Sequence, residues 1–212
     1  MIVAVESNFV LEMALRQDEV ADCERLIALA REGAIRLAIP ACSLFEPYET
    51  LVRRRKQREA IFQKLRDELR ELARTEAYAH LSETSKTVTR ALAESAEIQA
   101  KALDNTVISL AGVATVIPLT AEVMRNAVNA PLAFSLSPQD SVVFASTDLY
   151  LKEQGQGEKV FATKNSRDFL SDDVEDWFRR YNCKVLATFS ATRQYVEHTL
   201  ANPQAPPGTP NG

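Results

Sequence analysis

Short apolar runs alternate along this chain with longer segments whose apolar residues recur at helical spacing. Residues 2–5, Ile-Val-Ala-Val, are a β-branched run ending at Glu6-Ser7-Asn8, which predicts a buried strand followed by a polar turn. Residues 9–15 suit a helix start. From Asp18 a clearer helix follows, with Val20, Cys23, Leu26, Ile27, Leu29 and Ala30 at helical spacing and Gly33 as its C-cap. Residues 35–39 read as the next strand, stopped by Pro40. Ser43 is placed to cap a helix carrying Leu44, Phe45, Tyr48, Leu51 and Val52 on its apolar side, with Glu46 near its start.

From Arg53 to about Ala111 no strand pattern appears. Ile61, Leu65, Leu69 and Leu72 step at helical spacing, and Leu81, Val88, Leu92 and Leu103 continue more loosely. A break around residues 82–85 would divide this stretch into two long helices. It is longer than one crossover needs, so residues 54–111 are expected to be a helical insertion within a single domain of residues 1–201. Gly112 punctuates its end, and the alternation then resumes. A strand is expected at 114–118, a Thr120-capped helix through about 130, and a helix from Ser137-Pro138-Gln139-Asp140 to about 154. That last start has Ser as N-cap, Pro at N1 and an acid at N3 facing the positive end of the helix dipole. A strand at 159–163, a polar loop at 165–169, a helix at 172–181, a strand at 184–187 and a helix at 190–200 complete the series. Residues 202–212 read as a disordered Pro/Gly tail. Strands alternating with helices predict a three-layer α/β/α sandwich with a parallel sheet of about five strands.

Composition removes alternatives. Six glycines and nine prolines in 212 residues are too few turn formers for an all-β sandwich or barrel. A 46% hydrophobic and 25% charged chain is ordinary for a folded soluble protein. No run approaches 18 apolar residues, and no basic segment precedes the apolar start, so a cytoplasmic protein with no membrane partner is expected. Cys23, Cys42 and Cys183 are odd in number and widely spaced, which suggests small buried hydrophobes in a reducing compartment rather than a disulfide framework or zinc ribbon. His80 and His198 are the only histidines, and neither lies near a nucleophile-elbow pattern. Carboxylates are left to carry any chemistry. A net charge of -4 argues against attraction to nucleic acid by bulk positive charge, although a metal site is itself a cluster of acids.

Four acids stand where a parallel sheet keeps its ligands, beyond the carboxyl ends of the strands. Glu6 follows the first strand, Glu46 lies in the first turns of the helix after the second, Asp140 opens a helix, and Asp168 follows a late strand. Singly, Glu46 reads as a surface acid, Asp140 as a dipole partner and Asp168 as a cap. Jointly they are hard oxygen donors from separate elements, as a divalent cation requires. Setting these four aside leaves the chain close to neutral.

The residues around these acids carry a family resemblance. Val3-Ala4-Val5-Glu6-Ser7-Asn8-Phe9-Val10-Leu11 resembles the opening motif of the PIN domain, and Ile39-Pro40-Ala41-Cys42-Ser43-Leu44-Phe45-Glu46 resembles its second motif. Ser137-Pro138-Gln139-Asp140-Ser141-Val142-Val143-Phe144-Ala145-Ser146 is similar to the third, and Val160-Phe161-Ala162-Thr163-Lys164-Asn165-Ser166-Arg167-Asp168-Phe169 to the fourth. The motifs come in the family's order and span residues 1 to about 187, leaving the insertion uncovered. The resemblance implies a divalent-metal-dependent endoribonuclease acting on single-stranded RNA with Mg²⁺ or Mn²⁺. Glu6, Glu46, Asp140 and Asp168 would hold the metal directly or through water, supported by Ser7, Asn8, Thr163 and Asn165. It also implies a possible toxin role with an antitoxin protein as partner, a role that this chain's length and helical arm fit poorly.

The first motif departs from the family in having Glu6 where Asp is usual. The extra methylene displaces the carboxylate by on the order of 1 Å, against a tolerance of roughly 0.5 Å at functional sites. The alternative is therefore a non-catalytic PIN-like interaction or RNA-binding module with a degenerate metal site. Arg53, Arg54, Arg55 and Lys56 form the one dense basic run, read equally as a solvated helix end or as phosphate contacts for RNA. No aromatic-interleaved platform for base stacking is visible, and Trp177 with Phe178 is expected to pack the last helices on the sheet. A homodimer through the arm is the expected assembly.

Overall fold

The apolar runs pair side by side, since both faces of each strand need cover. The computed structural model describes residues 1–78, 81–155 and 157–202, with the backbone alone at 81, 82, 84, 85, 89, 93 and 131–133. Strands β1 (Ile2–Val5), β2 (Arg36–Pro40), β3 (Thr115–Ile117), β4 (Lys159–Ala162) and β5 (Cys183–Leu186) form an all-parallel sheet in the order β3-β2-β1-β4-β5. In register, Val3 stands opposite Leu37 on one side and Val160 on the other. The strand period of two sends Val3, Val5, Leu37, Ile39, Val160 and Ala162 into one core, and Ile2, Ala4, Ala38 and Phe161 into the other.

Helices α1 (Ser7–Leu15), α2 (Val20–Arg31), α3 (Ala41–Leu72) and α4 (Leu81–Val113) line the first core. Helices α5 (Ala121–Phe134), α6 (Pro138–Glu153), α7 (Ser166–Phe169) and α8 (Asp172–Arg179) line the second, and α9 (Phe189–Ala201) returns to the first. This is the expected α/β/α sandwich. Among the described residues no helix is long and apolar enough to cross a membrane.

Several boundaries differ from the sequence reading, each for a local reason. Ser43 lies inside α3, because Pro40 takes the N-cap position and the helix begins at once from the strand. Residues 82–85 fall in the first turn of α4, not at a break; the turn between the long helices comes earlier, with a 3₁₀ segment at Glu76–Tyr78. Ser- and Thr-rich stretches favour helix starts as much as breaks, and composition alone does not separate the two. Helix α5 continues past Ala130 to Phe134, over Pro131. Residues 166–169 are a helical turn, not an open loop. Two expected caps are present: the Thr120 hydroxyl accepts from Val123 N at 3.2 Å, and Gly33 takes the left-handed conformation (φ 74°) after α2. The tail, apart from Asn202, and His80 lie outside the described residues.

The inner ends of α3 and α4 pack under the sheet, where Leu44, Leu103 and Leu110 are buried. Among the described residues between 53 and 100, Phe62 alone is buried. The insertion is thus a two-helix arm whose middle rests chiefly on itself. At the opposite end of the sheet from the acids, the buried Lys159 ammonium donates to the carbonyls of Gly155 (2.5 Å), Gly157 (3.1 Å) and Tyr181 (2.8 Å). Burial lowers its pKa, and the three acceptors let the charge stay inside.

Candidate active site

The strand order sets the site. β1 and β4 are neighbours although they come from opposite ends of the chain, and the crossover direction reverses between them, the point beyond which open α/β sheets hold their ligands. Glu6 leaves the end of β1 as N-cap of α1, and Thr163 leaves the end of β4. One Glu6 oxygen, Oε2, accepts from Asn8 N at 2.9 Å and Ser7 Oγ at 2.9 Å. The other, Oε1, crosses to β4 and accepts from Thr163 Oγ1 at 3.3 Å and Lys164 N at 3.4 Å. Glu6 is 3% exposed, and its burial pushes the carboxyl upward against the hydrogen bonds from Asn8, Ser7 and Lys164.

From Glu6 a relay of hydrogen bonds reaches the third motif. Thr163 Oγ1 accepts from Asn165 N at 2.9 Å, and Asn165 Nδ2 donates to Asp140 Oδ1 at 2.9 Å. The other Asp140 oxygen accepts from the Ser137 hydroxyl, which in turn accepts from Asp140 N at 3.1 Å as the cap of α6. Asp140 is pushed up by burial and by the neighbouring Asp168, with Ser137 and Asn165 pulling the other way. Glu46 is pushed up by burial and by the charges of Asp140 and Glu49, against the Ser7 hydroxyl and the Arg53 guanidinium. Ser7 therefore stands between Glu6 and Glu46, and Asp140 between Glu46 and Asp168.

All four acids and the four supporting residues thus share one end of the sheet. The basic run does not arrive as a unit. Arg53 faces Glu46, whereas Arg55 Nε turns to Glu59 at 2.8 Å; Arg54 is half-buried and Lys56 exposed. Among the described residues no three Asp, Glu, His or Cys side chains are drawn together tightly enough to hold a metal ion.

Sequence reasoning missed a second layer behind Glu6. Lys164 Nζ pairs with Glu12 at 2.6 Å and Glu19 at 3.4 Å, and Glu12 is 3% exposed. Burial opposes the Lys164 charge, and the two glutamates outweigh it and raise its pKa. Glu19 also receives Phe189 N at 3.4 Å and Ser190 N at 3.3 Å from the start of α9. This network fixes the backbone N–H of Lys164 that holds Glu6. Its signal was present, since Lys164 lies inside the Thr-Lys-Asn run, but nothing local says that Glu12 on α1 turns inward.

These shifts give the pH response a sign. Burial holds Glu6, Glu46 and Asp140 above their ordinary values of 4.5, 4.5 and 3.8, so folding takes up protons and stability falls as pH rises through the folded values. Glu197, pulled down by Arg25 and Arg193, acts oppositely, but only as pH falls below its ordinary 4.5. Without divalent cations, the melting temperature is expected to rise as pH is lowered through the folded values of these acids toward their ordinary ones. A thermal-shift series in chelator measures it, and a fall over that window contradicts the assignment.

In comparisons with known proteins, no family model and no curated protein matches the chain.

Proposed function

We propose that this protein is a divalent-metal-dependent endoribonuclease that cleaves single-stranded RNA, with Glu6, Glu46, Asp140 and Asp168 as the acids around Mg²⁺ or Mn²⁺. The observation that carries this reading is the run of buried and half-buried carboxylates at the switch point, tied from Glu6 through Thr163 and Asn165 to Asp140, where burial raises Asp140 and Glu46 and the neighbouring acids add to it. Acids that repel one another at the end of a parallel sheet suit a hard cation, whose charge would relieve the repulsion. The order and content of the four PIN-like motifs support the same assignment.

The donors are of the chemical kind the ion takes, hard carboxylate oxygens, and would have to draw closer than they stand among the described residues. Asp140, Asp168 and Glu46 would hold it, with Glu6 reaching it directly or through water. When bound, such an ion neutralises charge on a phosphodiester and makes water a stronger nucleophile at neutral pH. The chain's own groups do the positioning: Asn165 aims Asp140, Thr163 and Lys164 fix Glu6, and Ser7 donates to Glu6 on the side that faces Glu46. Arg53, on the Glu46 side of α3, is the basic residue placed to meet an RNA phosphate. A homodimer through the arm and an antitoxin partner belong to this reading as further proposals, as does a cytoplasmic location.

A second reading, a PIN-like module that binds without cutting, is favoured by Glu6 itself. Four protein donors already engage its carboxylate. Two measurements decide between the readings. Mn²⁺ titrated against the purified chain is expected to raise the melting temperature by several degrees, about the effect of ligand at a hundred times its dissociation constant. A labelled single-stranded RNA is expected to be cut in Mn²⁺ and left intact in chelator. A shift without cutting supports the binding module, and the absence of both shift and cutting sinks the metal site.

A further inference from the structure

Next to Glu46 the surface opens into a groove of about 410 Å³, lined in part by Phe45, Glu49, Leu119, Met124, Gln139 and Val142. Its apolar residues are unusually open to solvent: Phe45 is 64% exposed, Leu119 50% and Met124 47%. The Phe45 ring stacks on Tyr48 with centroids 6.1 Å apart and planes 25° from parallel. Tyr48 is itself held, its hydroxyl donating to Asp104 Oδ1 on α4 at 2.7 Å. An exposed aromatic face backed by an anchored one is a preformed platform. No cluster of aromatics in the sequence announces it, because Phe45 and Tyr48 meet only through the turn of α3.

We propose that this groove seats one unpaired nucleobase of the single-stranded RNA substrate, stacked on Phe45, next to the phosphodiester presented to the acids; this deepens the ribonuclease reading and rests on it. Three observations select a base over other occupants. Glu46 belongs both to the acid cluster and to the groove wall, so a strand whose phosphate reaches the acids brings an adjoining base to Phe45. The volume falls in the range of small-ligand pockets, roughly 300–1,000 Å³. The groove also mixes an apolar floor with the Glu49 carboxylate and the Gln139 amide, groups that hydrogen-bond a base edge while its face stacks. Glu49 accepts but cannot donate, so it meets a donor on the base edge, an exocyclic amino group or a ring N–H.

The test uses the full-length chain and a hydrolysis-resistant, phosphorothioate-linked single-stranded oligoribonucleotide carrying one 2-aminopurine, with Mn²⁺ present. Stacking quenches 2-aminopurine fluorescence, so binding to the wild-type chain is expected to quench it. Phe45→Ala is expected to lose the quenching and to raise the dissociation constant roughly tenfold or more, and Phe45→Trp to restore both. Because Phe45 is exposed, its melting temperature and its response to Mn²⁺ should match the wild type. Equal quenching by the wild type and Phe45→Ala, or none by either, overturns the proposal even if the RNA is cut. A loss of self-association in Phe45→Ala with unchanged RNA binding also overturns it and gives the groove to a second copy. Failure of the ribonuclease reading looks different: no Mn²⁺ shift and no cleavage in the wild type, whatever the fluorescence does.

Discussion

Asp140→Asn is expected to lower cleavage of single-stranded RNA in Mn²⁺ by about a thousandfold, the several kcal/mol that cation charge stabilisation supplies. The same substitution is expected to erase the Mn²⁺-induced rise in melting temperature. Asp140 sits where the site's two halves join: Asn165 donates to one oxygen at 2.9 Å, Ser137 donates to the other, and Asp168 lies beside it. Asparagine keeps the size and one carbonyl oxygen, so the contact with Asn165 and the backbone cap of α6 can persist. What disappears is the charge. Its loss removes a favourable dipole term of about 0.3–1 kcal/mol at the helix start. It also removes the repulsion from Asp168 and toward Glu46, which acts in the opposite direction. The metal-free melting temperature should therefore change by no more than a few degrees. A folded Asp140→Asn chain that still cuts RNA, or still responds to Mn²⁺, would remove Asp140 from the site.

How much of this was legible in the chain depends on how local each feature is. The apolar runs at 2–5 and 160–162 identify strands because a strand covered on both faces is apolar along most of its length, and both strands are buried at every position, Lys159 included through its three carbonyl acceptors. The cap at Ser137 was legible for the same reason, since Ser, Pro and Asp satisfy a helix start among themselves. Glu6 shows where legibility stops. Its position after a strand marked it as a site acid, yet its role as cap of α1 and its reach to Thr163 depend on β4, which is more than 150 residues away in the chain. An aspartate there would be shorter by one carbon–carbon bond, about 1.5 Å, so the substitution that looked like a departure lets one carboxylate tie two strands together. Glu12 and Lys164 were missed on the same principle. Their importance lies in which neighbour they face, and that is decided by the order in which strands assemble. The basic run failed in the opposite way: contiguous in sequence, it is divided by the turn of α3, so that Arg53 lies toward Glu46 while Arg55 turns to Glu59.

Phe169→Ala is expected to cost about 3–5 kcal/mol of folding free energy, the usual loss for a buried phenylalanine, and to weaken the Mn²⁺ response as well. Phe169 is 1% exposed, and its ring meets Phe161 edge-on with centroids 5.1 Å apart. Phe161 in turn packs on Phe178 at 5.5 Å, so the cavity would open in the centre of the second core. A single domain has only about 5–15 kcal/mol in total, which makes the loss visible as a lower urea midpoint. The coupling to function follows from the length of α7. Four residues cannot hold a helical turn by themselves, and Phe169 is the buried residue of that helix. Without its ring, Asp168 loses the support that keeps it beside Asp140. Leu110→Ala is the matched control, since Leu110 is 1% exposed in the first core, and its loss costs about 2–5 kcal/mol without touching α7. At a temperature where both variants are folded, Leu110→Ala should keep the wild-type shift in Mn²⁺ and Phe169→Ala should lose most of it. Equal shifts in the two would mean that the cation does not depend on Asp168, and the site would then rest on Glu6, Glu46 and Asp140.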